Sequence, residues 1–336
     1  MIRLKDIALR AGVSVMTVSK VLRDAPDISP TTKARIKRMA EQMGYVPDSL
    51  AQGLRTRSTR ALGLVISIVT NPLYARGIVA IEEAAYELGY EVLLAHSLND
   101  PAREETVIRR LLSRRVDGLI LSPVYRLTPV APIYLELAAG KTPVVIWGQK
   151  APFCAAFPSV ETEDLLGAYA ATQHLLGLGQ RRIAYFSGPS VAPWNQERLD
   201  GYSRALRENH IEIEERLIFS AGNSIEDGQK AALQMLDEGA RPTAIQACND
   251  MVAIGAAGVL MQQGLRIPED VSVVGFGDTL LCEHFRVPLT TVHQPKFRIG
   301  EAAMETMRLL LKREPVDSKR LPTNLVIRES TGPASA

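Results

Sequence analysis

The sequence predicts an α/β protein: a small all-α helix-turn-helix head joined to a two-lobed body with doubly wound parallel sheets. Three observations carry that prediction. Residues 1–47 hold three short, capped amphipathic segments, and short apolar runs alternate with helical stretches from Leu62 onward. The same alternation then recurs from Arg182, as two similar halves require.

In the head, Leu4, Ile7, Ala8 and Ala11 fall at i, i+3, i+4 and i+7, one apolar helical face, and Gly12 suits the left-handed residue that ends a helix. Ser14 suits the N-cap of a second helix, in which Val18, Val21 and Leu22 face the first. Val15, Met16, Thr17 and Lys20 are left facing outward, where such a helix meets the major groove of DNA. Ser29-Pro30 opens a third helix with Ile36, Met39, Ala40 and Met43 buried, and Gly44 stops it. Residues 1–60 carry 12 Lys and Arg against 5 Asp and Glu, a net charge of +7, so the rest of the chain holds −5 of the overall +2. Basic charge sits where phosphates would lie.

Apolar residues at Val15 and Met16 suit thymine methyl groups, whereas Lys20 can donate to guanine O6 and N7. Packing is the competing role for Val15 and Met16. Ser14, Thr17 and Ser19, with the backbone N–H groups after Ser14, suit phosphate contacts that set register without reading bases.

In the body, Leu62–Ile68, Glu91–Ala95, Asp117–Ser122 and Pro143–Trp147 read as strands of one half. Arg182–Ser187, Leu217–Ser220, Ala244–Cys248 and Val271–Phe276 read as strands of the other. Phe157–Glu161, Pro288–Pro295 and a segment near Leu321 interrupt the alternation and are expected to cross between halves. Lys296–Leu311 is expected to be a long helix packing back on the first half, as is a last strand, Leu325–Glu329. The expected divisions are a head over 1–47, a linker over 48–60 and a body over 61–330, whose lobes are roughly 61–158 plus 293–330, and 159–292.

At 336 residues with 46% hydrophobic content, the chain can build a large core beside a small head. Cys154, Cys248 and Cys282 lie far apart without CxxC spacing, which argues against a disulfide framework and a zinc site and fits a reducing cytoplasm. No apolar run approaches the ~20 residues of a membrane span. No Walker loop or strand-borne GxGxxG is present, Gly275-Phe276-Gly277-Asp278 lacking the third glycine, so no nucleotide cofactor is expected. The five histidines are dispersed, and Ser187-Gly188-Pro189-Ser190 is no nucleophile elbow; neither a metal site nor an enzyme is indicated.

Ligands of open α/β sheets bind beyond the carboxyl ends of strands, which places the body's site between its halves. Ser67, Ser122, Trp147, Asn249 and Asp250 are strand-end candidates, and Tyr74, Trp194, Arg198 and Asn223 are loop candidates. Aromatic faces among polar groups suit a sugar. For Trp147 and Trp194 core packing competes with stacking on a ligand, and Arg198 could equally be a paired cleft-wall residue.

The run Leu4-Lys5-Asp6-Ile7-Ala8, Ala11-Gly12-Val13-Ser14, Thr17-Val18-Ser19 and Gly44-Tyr45-Val46-Pro47 closely resembles the lac-repressor (LacI/GalR) family of bacterial transcription regulators. The resemblance spans nearly the whole chain. It implies a periplasmic-binding-protein-like body, operator choice by Val15, Met16 and Lys20, and a hinge helix over Asp48–Thr56 whose Leu54 wedges into the minor groove. Gly53 is weaker than Ala in a helix by ~1 kcal/mol, so such a hinge should order only on DNA; a plain tether is the alternative.

The resemblance also implies ligand contacts at Trp194, Arg198, Asn223 and Asn249. Family members commonly carry acidic contacts at the positions held here by Gly148 and Gly277, with Asp278 one place later. Losing two carboxylates would leave Arg198 less neutralised and favour a sugar acid or sugar phosphate. The expected protein is a cytoplasmic homodimer that binds double-stranded operator DNA as a regulator, most simply a repressor, under control of a sugar-like effector. A sugar receptor or sensor with the same body is the competing reading.

Overall fold

The computed structural model describes residues 2–45 and 58–334, so Leu54 and Gly53 lie outside the described residues. Two compact units divide the chain, Met1–Thr59 and Arg60–Ala336.

The first unit holds α1 (Leu4–Ala11), α2 (Val15–Leu22) and α3 (Pro30–Gln42). Its core is Ile7, Ala8, Ala11, Val18, Val21, Ile36 and Ala40, and Leu4, Leu22, Met39 and Met43 pack against that core half-buried. Gly12 takes φ +67° as the first helix ends, which lets the Val13 N–H reach back to the Ala8 carbonyl at 3.1 Å. Ser14 and Ser29 Oγ accept from the backbone N–H of Thr17 and Thr32, at 3.1 and 3.3 Å, and so start the other two helices.

The second unit contains two six-stranded sheets. The first lobe runs β1 (Ala61–Ile66), α4 (Pro72–Glu87), β2 (Glu91–His96), α5 (Pro101–Ser113), β3 (Gly118–Leu121), α6 (Pro132–Ala139), β4 (Val144–Trp147) and β5 (Ser159–Thr162). The second runs α7 (Asp164–Gly177), β6 (Ile183–Ser187), α8 (Pro193–Glu208), β7 (Ile218–Ser220), α9 (Ile225–Asp237), β8 (Ala244–Ala247), α10 (Asp250–Gln262), β9 (Ser272–Gly277), α11 (Leu280–His284) and β10 (Thr290–His293). The chain then returns through α12 (Lys296–Leu311) and β11 (Lys319–Leu321) before ending with β12 (Asn324–Val326). Strand orders are β11-β5-β4-β3-β1-β2 and β12-β10-β9-β8-β6-β7.

Both faces of each sheet are covered, as parallel strands require. Along β1, Leu62, Leu64 and Ile66 join one apolar cluster with Ile81, Ala303 and Met307, while Ala61 and Val65 join the opposite cluster with Ile108 and Leu111. Along β6, Ala184 and Phe186 divide from Ile183 and Tyr185 in the same way. α12 closes on α4 at two glycines: a Cβ on Gly300 would lie 2.4 Å from the Gly77 carbonyl oxygen.

Three expectations about the body are corrected. Phe157–Glu161 does not cross between halves: it contributes β5 to the first sheet, where Val160 pairs with Trp147, so the first lobe extends through Thr162 rather than ending at 158. Pro288–Pro295 holds the expected crossing at its end, Gln294–Pro295, but first supplies β10 of the second sheet. The last strand, expected at Leu325–Glu329 on the first half, is β12 and pairs antiparallel with β10 in the second. It cannot return, because the residues after it are sewn there: Glu329 and Ser330 N–H reach the Pro288 carbonyl, and Ser330 Oγ donates to the Val273 carbonyl at 2.6 Å.

Candidate functional site

A cavity of about 370 Å³ lies at the carboxyl ends of both sheets, between the lobes. Nine of the ten residues expected to bind an effector line it: Ser67, Tyr74, Ser122, Trp147, Trp194, Arg198, Asn223, Asn249 and Asp250. Asp278 does not. It adopts φ +53°, which carries its carboxylate to His293 Nδ1 and Arg328 Nη2, each at 2.7 Å.

On the first lobe, Tyr74 lies in the opening turn of α4 and not in a loop, since Asn71 caps that helix by accepting from the Leu73 N–H. Its hydroxyl sits 3.0 Å from both Ser67 and Ser122 Oγ, tying the ends of β1 and β3 into one polar floor. The Trp147 ring stands edge-on to Tyr74 with centroids 5.3 Å apart. Gly77 makes room for it, because a Cβ there would fall 2.5 Å from the indole.

On the second lobe, Trp194 and Arg198 share one face of α8, four residues apart. The guanidinium packs 3.7 Å from the Phe276 ring centroid and 4.7 Å from that of Trp194. Arg198 is not under-neutralised, contrary to the expectation drawn from Gly148 and Gly277. Its Nε and Nη2 meet Asp164 Oδ2 at 2.9 and 2.7 Å and its Nη1 donates to the Cys248 carbonyl at 2.5 Å, with the side chains of Arg198 and Asp164 only 7% and 2% exposed. Thr162 Oγ1 donates to the other Asp164 oxygen. The buried charge pair is thus closed within the protein.

Asn249 caps α10 by accepting from the Val252 N–H, and its Nδ2 donates to Asn223 Oδ1 at 2.7 Å. Asp250 is a strut: its carboxylate accepts from the Thr279 N–H and from Thr291 Oγ1, beneath Gly275 and Gly277. Residues that sequence reasoning missed complete the lining. Lys296, buried where the chain re-enters the first lobe, donates to the carbonyls of Gly277, Asp278 and Gln294, and burial holds its ammonium below the usual lysine range. Burial pushes the Glu161 carboxyl above its usual range despite Arg320. The side-chain nitrogen of Gln149 and side-chain oxygen of Gln294 are buried without a hydrogen-bond partner among the described residues. Asp164, Gln294 and Lys296 lie at or just after the first two of three crossings, the third falling between β11 and β12 as expected near Leu321; strand ends at a crossing were the available signal.

In the head, Val15 and Met16 are 45% and 69% exposed, large apolar side chains left in solvent on the outer face of α2. Ser14 and Thr17 hydroxyls lie 2.9 Å apart. Lys20 pairs with Asp27, whose carboxyl it holds below the usual range, and Ser19 uses its carbonyl to accept from Arg23 Nε.

Among known proteins, residues 3–48 match the model of bacterial regulatory proteins of the lacI family, and residues 172–331 match a periplasmic binding protein-like domain. The chain is 32% identical to the HTH-type transcriptional repressor PurR of Photobacterium profundum, over 98% of both chains. Its structure resembles a lac repressor dimer bound to operator and the anti-inducer ONPF (TM-score 0.85, 28% identity, 98% and 99% of the two chains). It also resembles a transcriptional regulator CelR–cellobiose complex (TM-score 0.74, 31% identity, 98% and 100%). Among the described residues no helix is long and apolar enough to cross a membrane.

Proposed function

We propose, starting from the fact that the chain belongs to the lacI family of bacterial regulatory proteins, that it is a transcriptional repressor whose hold on operator DNA is set by an uncharged sugar bound between the lobes. The cleft itself favours an uncharged ligand. Each cation lining it is already engaged by the protein, Arg198 by Asp164 and Cys248 and Lys296 by three carbonyls, whereas the buried lining atoms without a partner among the described residues include Gln149 Nε2 and Gln294 Oε1. An amide serves a hydroxyl as donor or acceptor, and a phosphate or carboxylate would face no free cation among the described residues there. Trp147, Tyr74 and Trp194 offer the apolar faces that sugar rings stack on.

DNA reading falls to Val15, Met16 and Lys20, with Ser14, Thr17 and Ser19 on phosphates, and Leu54 of the linker as the minor-groove wedge. The relatives it matches are named as transcriptional repressors and regulators, which supports a cleft that binds its ligand. An operator-bound regulator works in the bacterial cytoplasm, and two heads on a pseudo-palindromic site make the acting unit a homodimer. The first test uses tryptophan fluorescence: the chain has two tryptophans, Trp147 and Trp194, and both line the cavity. Titration with D-ribose, D-glucose and cellobiose should change the emission saturably, whereas the corresponding sugar phosphates and acids should bind more weakly; the reverse order would overturn the uncharged-ligand reading.

A further inference from the structure

Glu161 follows Val160 on β5, and because Trp147 pairs with Val160 and the Gly148 N–H reaches the Val160 carbonyl at 2.9 Å, Glu161 sits beside Gly148 in the parallel ladder. Partners in a ladder project to the same face. Gly148 projects nothing, at φ +125°, so Glu161 supplies the carboxylate on this stretch of wall, and its side chain, 13% exposed, lines the cavity. No described residue donates a hydrogen bond to it. Its one ion pair among the described residues is a long contact, 3.4 Å, from Arg320 Nε.

Arg320 is committed elsewhere. Its Nη2 lies 2.6 and 2.9 Å from the two oxygens of Glu197, on the opposite lobe's α8, one residue before Arg198. On the same stretch of wall, the Gln149 Nε2 donor is buried and unpartnered among the described residues, on a residue 6% exposed. An under-used carboxylate and an orphaned amide donor therefore share one wall, and the carboxylate shares a guanidinium with the other lobe.

We infer that Glu161 binds a hydroxyl of the effector, and that Arg320, shared between Glu161 and Glu197, couples this binding to the contact between the lobes. This rests on the reading of the cleft as a sugar site. A hydroxyl that donates to Glu161 satisfies the carboxylate in place of Arg320, which is then left wholly to Glu197 and strengthens the bridge across the cleft. Occupancy and lobe closure favour each other.

The test uses the full-length chain, with tryptophan fluorescence titrations of D-ribose, D-glucose and cellobiose on the wild type, Glu161→Gln, Glu197→Gln and Glu161→Gln/Glu197→Gln. Circular dichroism establishes that each is folded. Glu161→Gln should weaken the best sugar about tenfold or more, as expected for loss of a charged hydrogen bond. Glu197→Gln, away from the sugar, should weaken it about threefold, and the double variant should lose less than the product of the two. Spin labels on exposed positions of the two lobes give a readout that needs no sugar: the distance distribution should broaden in Glu197→Gln and in Arg320→Gln. Unaltered affinity in Glu161→Gln overturns its binding role. Multiplicative losses, or unchanged lobe distances, overturn the coupling. Sugar binding by the wild type with no effect of these variants sinks this inference alone, whereas a wild type that binds none of the three sugars sinks the uncharged-sugar reading and this inference with it.

Discussion

Arg198 shows how a single residue can be legible in position and misread in chemistry. Its place in the cleft followed from the sequence, but its neutralising partner, Asp164, opens α7 34 residues earlier and becomes adjacent only when α7 packs against α8. With the pair nearly closed to solvent, Arg198→Ala leaves a buried carboxylate unpaired and should cost about 3 kcal/mol in urea unfolding. Adding Asp164→Asn should restore part of that loss, and full additivity would contradict the pairing. Asp278 was misplaced because nothing in its neighbours' identities announced a left-handed turn. Burial pushes its carboxyl up, but the hydrogen bonds of His293 and Arg328 outweigh this and hold it below the usual carboxylate range. An acid whose folded pKa is depressed contributes stability above its unfolded pKa and loses it as pH falls through the folded one. The melting temperature of the wild type should therefore exceed that of Asp278→Asn at about pH 6, and the gap should narrow as the pH falls below the usual carboxylate range. A gap that widens in acid would refute the assignment.

Strands written as apolar runs were legible, the edge strands β2 and β7 among them, whereas the interior β5 and β10 were read as crossings. β1, β3, β4, β6, β8 and β9 are buried on both faces and declare themselves as apolar runs. β11 and β12, three residues each at sheet edges, are half-exposed and too short to show a pattern, and their pairing is decided by where the tail is anchored. Caps were equally plain. Ser14→Ala removes the acceptor for the Thr17 N–H and should destabilise the head by about 1 kcal/mol, read as a lower melting temperature. Gly77, where a Cβ would lie 2.5 Å from the Trp147 indole, is invisible in sequence because the ring that needs the gap comes from a strand 70 residues later. Gly77→Ala should cost about 1–3 kcal/mol through overpacking and shift tryptophan emission without sugar; an unperturbed spectrum would show that the ring does not depend on this gap.

For the molecule as a whole, the two-unit plan was legible because basic charge, helical period and α/β alternation change together near residue 60. Gln149, Glu161, Asp164 and Gln294 of the cleft were not, since their roles depend on which groups the fold pairs and which it leaves without partners. A repressor controlled by a sugar needs its cleft and its head to be linked sites. Linkage requires that a sugar change operator affinity by the same factor as operator changes sugar affinity. The direct measurement selects a duplex from a random pool with the full-length protein, then follows its binding by fluorescence anisotropy at fixed salt, with and without saturating sugar. Cleft occupancy should shift the operator dissociation constant at least about fivefold in the wild type, and Glu161→Gln at the same sugar concentration should shift it less. A sugar that binds the cleft tightly while leaving operator affinity unchanged would contradict the linkage of the two sites.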